Sequence, residues 1–523
     1  MSNDQQRAEL HKTIWKIADE LRGSVDGWEF KSYVLGTLFY RYISESIIEY
    51  VNRLQQEAGV TDFDYTQMSD EEAEYGRDDI VDEKGYFIPP SHLFINVAKN
   101  ADSNENLNET LSAVFRSIEA SAQGHASEDD LRGLFGDFLV DSTSLGRTVS
   151  KRNELLAKVL KAVAEMDLGG SFTEHTIDAF GDAYEFLMQM YAANAGKSGG
   201  EYFTPPAVSE LLARLCLIRN PIIRRVYDPA CGSGSLLLKF AKTIGRNNPD
   251  LKYYGQEINP STYNLCRINM FLHGISFDNF DIQLGDTLIE PKHIDRVSTC
   301  ILFDAITSNP PYSIKWEGED NPILINDDRY APAGVLAPKS KADLAFIMHI
   351  LYMLSESGVA AIVEFPGVLY RGGAEQKIRK YLLEHNRVDA VIQLPANLFF
   401  GVSIATCIIV LRKGTKTDNS VLFVDASGEC EKEGNKNYLR PKHQDRIAEA
   451  IEKREDVQYF CSLVKNEDII KNDCNLSVSS YVEQPDTREK IDIAKVNAEL
   501  ENVVIAVNHY RQQVDDIVKL LGD

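Results

Sequence analysis

The 523-residue sequence contains no apolar run of the roughly 20 residues that a membrane span needs. Its first four residues, Met1-Ser2-Asn3-Asp4, do not begin a signal peptide. Both absences argue against insertion into a membrane or export through one. We therefore expect a cytoplasmic protein.

The eight cysteines form no Cys-x-x-Cys pair and show no spacing typical of a zinc site. A structural zinc module and a disulfide framework are both disfavoured by this pattern. Reduced thiols are the rule in the cytoplasm. We therefore expect free cysteines, no metal, and no nucleophilic role for any of the eight.

Basic residues are scarce relative to acidic ones: 55 lysines and arginines stand against 79 aspartates and glutamates, for a net charge of −24. Affinity for duplex nucleic acid comes mainly from neutralised phosphates, so this chain on its own repels such a ligand. Either the substrate is not nucleic acid, or a basic partner supplies most of the phosphate contacts. Net charge bears on association and not on the chemistry of a site.

Two glycine-rich stretches lack the residues of the common phosphate-binding motifs. Gly196-Lys197-Ser198 needs a glycine five residues before its Gly-Lys pair to form a P-loop, and Tyr191 stands there. Gly232-Ser233-Gly234 is followed at the required position by Leu237 rather than glycine, which disfavours a dinucleotide. Neither stretch predicts a nucleotide site of these two kinds.

Residues from about 4 to 165 show helical periodicity. Leu10 and Ile14 begin a series at helical spacing, and residues 28–54 are amphipathic and rich in aromatic side chains. The acidic segment 70–72 and the Asn-rich segment 100–109 are interpreted as loops. We find no catalytic constellation here and predict a helical domain that packs or binds a partner.

A strand, a tight glycine loop and a helix are predicted from Arg225 to Leu238. Gly232 and Gly234 allow positive φ and a close approach of the backbone to a ligand, and the loop leads into a helix N-terminus. Asp228, last on its strand, can accept a hydrogen bond from an ammonium or amide group. The stretch therefore predicts a ligand loop.

Three further strand ends carry acceptors. Glu257 ends the strand 253–257, where a carboxylate can take both hydroxyls of a ribose. Asp286 follows the strand 280–284 and can accept from an adenine amino group, and Asn309 follows the fourth strand. One such residue is more often a cap or a turn residue, but four successive strand ends with acceptors predict a single binding edge.

The fourth strand, residues 301–307, leads into Ser308-Asn309-Pro310-Pro311-Tyr312. Two consecutive prolines end strand pairing and fix the backbone. They hold the Asn309 side chain and the Pro310 carbonyl at the carboxyl edge of the sheet, beside the ring of Tyr312. An amino group on a planar base needs two acceptors and a ring to stack on. The motif alone is equally compatible with an ordinary Asn-Pro turn.

The alternation of strands and helices continues to residue 411. Helices are predicted at 207–217, 341–355 and 374–384, and strands at 358–363, 388–392 and 405–411. The fold class is therefore α/β, a doubly wound, Rossmann-like sheet of seven mainly parallel strands. Between the last two strands lie Phe399 and Phe400, and we interpret one of them as a core anchor and leave the other as a possible wall of a base pocket.

From about 414 onward the pattern indicates polar, charged helices and loops. Near the end, apolar residues alternate three and four apart over four heptads: Ile493, Val496, Leu500, Val503, Val507, Tyr510, Val514, Ile517 and Leu521. Such a seam packs on its own domain or on a partner helix, and its uninterrupted length favours the partner. The predicted domains are residues 1–165, 166–415 and 416–523.

With these motifs in view, the chain resembles S-adenosylmethionine-dependent methyltransferases that act on adenine N6. More closely, it resembles the modification (HsdM) subunit of type I restriction–modification systems over nearly its whole length. The most specific segments are 194–205, 228–235, 308–312 and 472–477. Cys231 departs from the family, in which a small residue such as alanine is expected.

The resemblance implies roles for individual residues. The segment matching residues 201–206 covers the methionine end of the cofactor, the loop 228–235 cradles it, and Glu257 takes its ribose. Residues 309–312 hold a base flipped out of the duplex. The implied cofactor residues are Glu201, Tyr202, Phe203, Thr204, Pro205, Pro206, Asp228, Gly232, Ser233, Gly234, Ser235, Glu257 and Asp286, and the implied catalytic residues are Asn309, Pro310, Pro311 and Tyr312.

The resemblance also implies partners. A separate specificity (HsdS) subunit reads the DNA target, two modification subunits clamp the duplex, and a motor-nuclease (HsdR) subunit can join for cleavage. A partner that reads the sequence would account for the acidic charge and would give the C-terminal seam a surface to dock on.

Three other functions are compatible with parts of the pattern. A protein-glutamine N5 methyltransferase carries the same Asn-Pro-Pro-Tyr motif and suits the acidic charge, but not the helical N-terminal region or the C-terminal seam. A non-catalytic scaffold would have no use for the aligned acceptors. A self-sufficient DNA methyltransferase would need a recognition domain of a size that we do not find.

Overall fold

The computed structural model describes residues 10–15, 29–166, 179–194, 204–220, 222–244, 248, 250–293, 300–399, 403–414, 416–434, 436–484 and 492–522. The Gly196-Lys197-Ser198 stretch and four predicted site residues lie outside the described part: Glu201, Tyr202, Phe203 and Phe400.

The described N-terminal region is helical, as predicted. Its helices are α1 (Glu29–Glu57), α2 (Asp70–Glu74), α3 (Arg77–Lys84), α4 (Phe94–Lys99), α5 (Leu107–Ser121), α6 (Glu128–Leu131) and α7 (Val149–Ala164). Leu107, Leu111 and Ile118 recur at helical spacing along α5, and all three are buried. The N-terminal region therefore contributes to a common core through one apolar face of each longer helix.

The interpretation of the acidic segment 70–72 as a loop is wrong. Ser69 and Glu72 form a capping box at the start of α2, in which each side chain accepts from the other's backbone N–H. Acidic residues in a first helical turn are favoured by the partial positive charge of the helix N-terminus. The acids here open a helix rather than interrupt one. The loop predicted at 100–109 likewise ends early, because α5 begins at Leu107.

The remainder of the first compact unit is an α/β structure. Its strands are β1 (Arg225–Asp228), β2 (Lys252–Glu257), β3 (Phe280–Leu284), β4 (Phe303–Ser308), β5 (Leu354–Glu364), β6 (Val388–Gln393), β7 (Cys407–Arg412), β8 (Ser420–Asp425), β9 (Glu431–Glu433), β10 (Lys436–Tyr438) and β11 (Cys461–Lys465). Its helices are α8 (Ala179–Asn194), α9 (Pro206–Leu217), α10 (Ser235–Ile244), α11 (Pro260–Leu272), α12 (Asp343–Met353), α13 (Ala374–Glu384), α14 (Pro441–Lys453) and α15 (Asn466–Lys471).

One sheet of nine described strands has the order β11-β8-β6-β7-β5-β4-β1-β2-β3. The strands from β3 to β5 in this order pair in parallel, whereas β7 is antiparallel to both β5 and β6. The predicted α/β fold of mainly parallel strands is confirmed, with nine strands in the sheet instead of seven. The core lies on both faces of the sheet.

The interpretation of the chain beyond residue 414 as helices and loops is wrong. β8 pairs in parallel with β6, β11 pairs antiparallel with β8, and a short hairpin of β9 and β10 lies between them in the chain. Val421 to Val424 is a buried apolar run within a charged neighbourhood. The predicted boundary at residue 415 therefore falls inside the sheet-containing unit, because this run forms β8, which lies in the sheet between β6 and the edge strand β11.

The chain divides into two compact units, Met1–Val482 and Glu483–Asp523. The second contains one helix, α16 (Ile493–Leu521), whose start is capped by the Asp492 side chain. The structure describes this helix throughout, and it buries none of its residues. The helical C-terminal tail is thus confirmed, and its apolar seam is exposed.

A buried arginine joins the N-terminal helices to the α/β part. Arg267 of α11 donates to the backbone carbonyls of Asp129, Asp130 and Arg132 at 3.0–3.1 Å. The Tyr263 ring packs against this guanidinium, with 4.2 Å between the ring centroid and Arg267 Cζ. The two parts are therefore joined by specific contacts as well as by apolar packing.

All eight cysteines are free thiols. Among the helices that the structure describes, none combines the length and the apolar character required to cross a lipid bilayer.

Candidate active site

The site lies where the strand order reverses. From β1 the chain adds β2 and β3 on one side and then returns to place β4 on the other side of β1. Ligands of open α/β sheets bind at such a switch point, outside the carboxyl ends of the strands. The carboxyl ends here are Asp228 on β1 and Ser308-Asn309 on β4.

Asp228 connects the two central strand ends. Its Oδ1 accepts from the Ser308 hydroxyl at 2.9 Å and from the Ala230 N–H at 3.0 Å. Its Oδ2 is buried and accepts no hydrogen bond from the described residues. Burial raises the pKa of Asp228 to about 7. One buried oxygen is therefore left for a cationic or amide donor.

The glycine loop turns under steric constraint. Gly232 and Gly234 have φ of +54° and +78°, and a Cβ on Gly234 would lie 2.8 Å from both Cys266 Sγ and Met270 Cε. Within the loop, the Ser233 carbonyl accepts from Asn269 at 2.7 Å. Glycine is thus required at position 234, and the hydrogen bond from Asn269 anchors the loop to α11.

Two further residues lie at the ends of this loop. Cys231 is buried, and its N–H donates to the Gln256 carbonyl at 3.1 Å, so the loop accommodates the larger side chain. Ser235 begins α10.

Glu257 is held by two backbone groups. Its Oε2 accepts from the Gly232 N–H at 3.0 Å and its Oε1 from the Asn259 N–H at 2.9 Å. Burial raises its pKa, although these hydrogen bonds act in the opposite direction. The carboxylate thereby links the loop after β1 to the end of β2, and each oxygen keeps a lone pair for a ligand.

Asp286 lies on a third loop that contacts the first. Its Oδ1 accepts from the Leu288 N–H at 2.9 Å, and the neighbouring Thr287 hydroxyl donates to the Pro229 carbonyl at 2.6 Å. Arg329 donates to the carbonyls of Thr287 and Leu288 at 2.8 and 2.9 Å. The buried arginine, which the sequence pattern did not single out, therefore fixes the loop that carries Asp286.

These strand ends enclose one cavity of about 320 Å³, within the range of small-molecule sites. Its lining includes Pro229, Ala230, Gly232, Glu257, Asp286, Asn309, Pro311, Ile314, Trp316 and Phe346. The structure thus brings together the four predicted strand ends. Trp316 and Phe346 were not predicted as site residues. Trp316 could have been found from the sequence, because it is an aromatic residue four positions after the Asn-Pro-Pro-Tyr motif.

The Asn309 side chain is hydrogen-bonded at both ends. Its Nδ2 donates to the Thr204 hydroxyl at 3.0 Å, and its Oδ1 accepts from the Tyr312 hydroxyl at 2.5 Å. Thr204 and Pro205 immediately precede α9, which begins at Pro206. The described end of the predicted cofactor segment therefore contacts the predicted catalytic motif.

A buried carboxylate supports the loop after the motif. Ser313 has a φ of +53°, and its N–H donates to Asp343 Oδ1 at 2.8 Å. Asp343 is the first residue of α12 and was not predicted as a site residue. A non-glycine residue with this φ is held in place by its surroundings, and Asp343 supplies the hydrogen bond here.

The strand next to β4 ends in another buried acid. Glu364, last on β5, is fully buried, and its two carboxyl oxygens accept no hydrogen bond from the described residues. Burial and the nearby Asp343 raise its pKa well above the ordinary value. Phe399 is buried in the core, which confirms the interpretation of one of the two loop phenylalanines as an anchor.

No group of three or more histidine, cysteine, aspartate or glutamate side chains within the described ranges is arranged to hold a metal ion.

Comparison with known proteins gives matches along nearly the whole chain. Residues 175–490 match the N-6 DNA methylase family, and residues 10–163 match the HsdM N-terminal domain. The sequence is 45% identical to the type I restriction enzyme MpnII methylase subunit of Mycoplasma pneumoniae, over 98% of this chain and 96% of the relative. It is 29% identical to the MjaVII methylase subunit of Methanocaldococcus jannaschii, over 97% and 83%.

A solved structure agrees with these matches. The crystal structure of the type I restriction–modification methyltransferase subunit from Streptococcus thermophilus has a TM-score of 0.81 and 37% sequence identity, covering 91% of this chain and 100% of that chain.

Proposed function

The chain belongs to the methylase subunits of type I restriction–modification systems, and we propose that it transfers the methyl group of S-adenosylmethionine to adenine N6 in duplex DNA. Such methylation would protect host DNA from restriction. The observation that carries the proposal is the meeting of Glu257, Asp286 and Asn309 around one cavity, with Asp228 buried next to it and bonded to Ser308.

The residues present fit the cofactor. Asp228 has a buried oxygen without a partner among the described residues, which suits the cofactor's ammonium group. Glu257 can accept from the ribose hydroxyls and Asp286 from the adenine amino group, while Gly232 leaves open space where a side chain would stand. The Thr204–Pro206 segment would cover the methionine end, together with Glu201 to Phe203. When bound, the cofactor supplies an electrophilic methyl group on a sulfonium.

The protein residues on the other side of the cavity would prepare the nucleophile. The target base must leave the duplex, because its amino group is inaccessible inside the stack. Asn309 Oδ1 and the Pro310 carbonyl would accept from the two N6 hydrogens and aim the nitrogen lone pair at the methyl group. Tyr312 would stack on the extruded ring, and Pro311 keeps the loop rigid. No covalent enzyme intermediate is required.

The choice of DNA sequence would lie with a partner. The net charge of −24 opposes phosphate binding by this chain alone, and α16 exposes the whole of its apolar seam. We assign this helix to docking on a specificity subunit, with two modification subunits in each complex and, where cleavage occurs, a motor-nuclease subunit. Exposed apolar surface of this extent is typical of a binding surface.

The test is transfer of labelled methyl from S-adenosylmethionine to duplex DNA, by the subunit alone and with a co-expressed specificity subunit. We expect labelled N6-methyladenine only when the partner is present. Label with the subunit alone would refute the division of labour. No label in DNA under either condition, despite bound cofactor, would refute the DNA substrate and favour a protein-glutamine substrate.

A pair of substitutions in the seam tests whether α16 is needed for binding the specificity subunit and not for binding the cofactor. Leu500→Asp with Val507→Asp should abolish partner-dependent methylation, because each introduces a charge into the apolar surface of α16. Cofactor binding by the subunit should be unchanged. Full methylation by this variant would overturn the assignment of the helix.

A further inference from the structure

The Asn309 amide is hydrogen-bonded to a residue 105 positions earlier in the chain. Thr204 Oγ1 accepts from Asn309 Nδ2 at 3.0 Å. Both side chains are buried, with exposed fractions of 6% for Thr204 and 8% for Asn309. A buried amide N–H without an acceptor is costly, so this hydrogen bond holds the side chain in the observed arrangement, with Nδ2 towards Thr204 and Oδ1 towards Tyr312.

The direction of the amide decides what it can do to a base. An asparagine side chain has an oxygen that accepts and a nitrogen that donates, and the two ends are almost identical in shape. Rotation by 180° would direct an N–H at the target amino group, so that two donors would face each other. Methylation of an amino group requires the oxygen in that place.

The oxygen is already in use when no base is bound. Tyr312 donates its hydroxyl hydrogen to Asn309 Oδ1 at 2.5 Å. The hydroxyl takes one of the two lone pairs of this oxygen and leaves the other for a hydrogen of the target amino group.

We propose that Thr204 is a positioning residue, which holds the Asn309 amide with Oδ1 towards the target amino group. The inference rests on the proposed function. Thr204 directly precedes Pro205 and the start of α9. The same short segment that we assign to the cofactor cover therefore also prepares the acceptor for the second substrate.

The test uses the full chain in complex with its specificity subunit. Thr204→Val removes the hydroxyl at nearly constant shape, and we expect kcat for methyl transfer to fall about tenfold to thirtyfold because Nδ2 loses its acceptor. Thr204→Ser keeps the hydroxyl and should stay within about threefold of the parent kcat. The cofactor Kd is measured by calorimetry for both variants, and kcat is taken at saturating cofactor, so that a lost contact of Thr204 with the cofactor raises Kd without lowering kcat.

A neighbouring threonine provides a matched control. Thr307 on β4 is fully buried, and its hydroxyl has no hydrogen-bond partner among the described residues. Thr307→Val makes the same chemical change close to the motif without removing a hydrogen bond. We expect its kcat to equal that of the parent, so that a loss confined to Thr204→Val reports the contact with Asn309.

A binding measurement distinguishes positioning from a general structural role. The Kd of the complex is compared for duplexes with adenine or with purine, which lacks the 6-amino group, at the target position. The parent should prefer adenine, Thr204→Ser should keep that preference, and Thr204→Val should lose most of it. If Thr204→Val loses transfer but keeps the preference, or retains kcat within about twofold, the inference is overturned. No transfer by the parent complex would instead overturn the proposed function itself.

Discussion

The two halves of the active site place different chemical groups at neighbouring strand ends. On the cofactor half, β1 and β2 end in Asp228 and Glu257, whose carboxylates accept from backbone N–H groups of the adjoining loops. On the target half, β4 leads to the Asn309 amide and the Pro310 carbonyl, and β5 ends in Glu364, whose pKa is raised by burial. One half can compensate positive charge, whereas the other offers acceptors without net charge.

This difference fits the ligands that we propose for the two halves. A cationic ligand is stabilised by a carboxylate, and a desolvated carboxylate is stabilised in turn by backbone donors. A neutral amino group needs only acceptors in the correct direction. We therefore expect substitutions in the target half to change transfer and those in the cofactor half to change cofactor affinity.

The largest effect is expected from removing the target acceptor. Asn309→Ala should lower kcat about 10²–10³-fold, the size seen when one preorganised transition-state hydrogen bond is removed. The cofactor Kd should remain within about threefold of the parent value. Single-turnover transfer and calorimetry measure the two quantities. The same substitution at the exposed Asn100 of the N-terminal region is the control, and near-normal transfer by Asn309→Ala would contradict the mechanism.

The matching change on the other half is Glu257→Gln. Glutamine has one oxygen for the two N–H groups that Glu257 now accepts from, Gly232 and Asn259, and it carries no charge. We expect the cofactor Kd to rise about tenfold to a hundredfold, as for a charge-assisted hydrogen bond, while kcat at saturating cofactor falls far less. Glu71→Gln, at an exposed position of α2, is the control. An unchanged Kd would remove Glu257 from the cofactor site.

Substitutions of Tyr312 divide the target half further. Tyr312→Ala should weaken binding of the extruded base about tenfold or more, since base stacking contributes ~1–3 kcal/mol. Tyr312→Phe keeps the ring and loses only the hydroxyl that bonds Asn309 in the absence of a base, so its transfer should stay within about threefold of the parent. If both variants lose transfer equally, stacking is not the function of this ring.

The smallest effect is a pH dependence confined to the cofactor half. Burial raises the pKa of Asp228 to about 7, and an ammonium group binds the ionised form. Cofactor affinity should therefore fall as pH falls through 7, by about fivefold between pH 7 and pH 6 for one linked proton. Calorimetry at these pH values should show this slope in the parent and not in Asp228→Asn.

The raised pKa of Asp228 also makes the folding stability of the cofactor-free protein depend on pH, but in the opposite direction to cofactor affinity. The folded-state pKa of Asp228 is raised above an unfolded value of about 3.9, so the unfolded chain ionises first as pH rises. This group therefore lowers the free energy of unfolding of the cofactor-free protein between about pH 4 and pH 7, and the loss is complete above that window. Denaturant titration of Asp228→Asn should show a smaller decline over this range.

Most of the local structure could be predicted from the sequence. The bounds of β3 and α13 agree with prediction, since an apolar run and an amphipathic period depend only on neighbouring residues. β8 was missed because its short apolar run lies among charged residues, and its assignment as a strand depends on pairing with β6. The antiparallel direction of β7 likewise follows from its partners rather than from its composition.

The sequence by itself determined the chemical inventory of the site. Residue type and position at the end of a strand were enough to recognise three features: the glycine loop, the carboxylates at the ends of β1 to β3, and the Asn-Pro-Pro-Tyr motif. Only the tertiary structure decided how they meet, because strand order places Asp228 beside Ser308 and brings Thr204 to Asn309 across 105 residues. Residue types and spacing are local properties, whereas the hydrogen bond between Asn309 and Thr204 exists only because the folded chain brings two distant residues together.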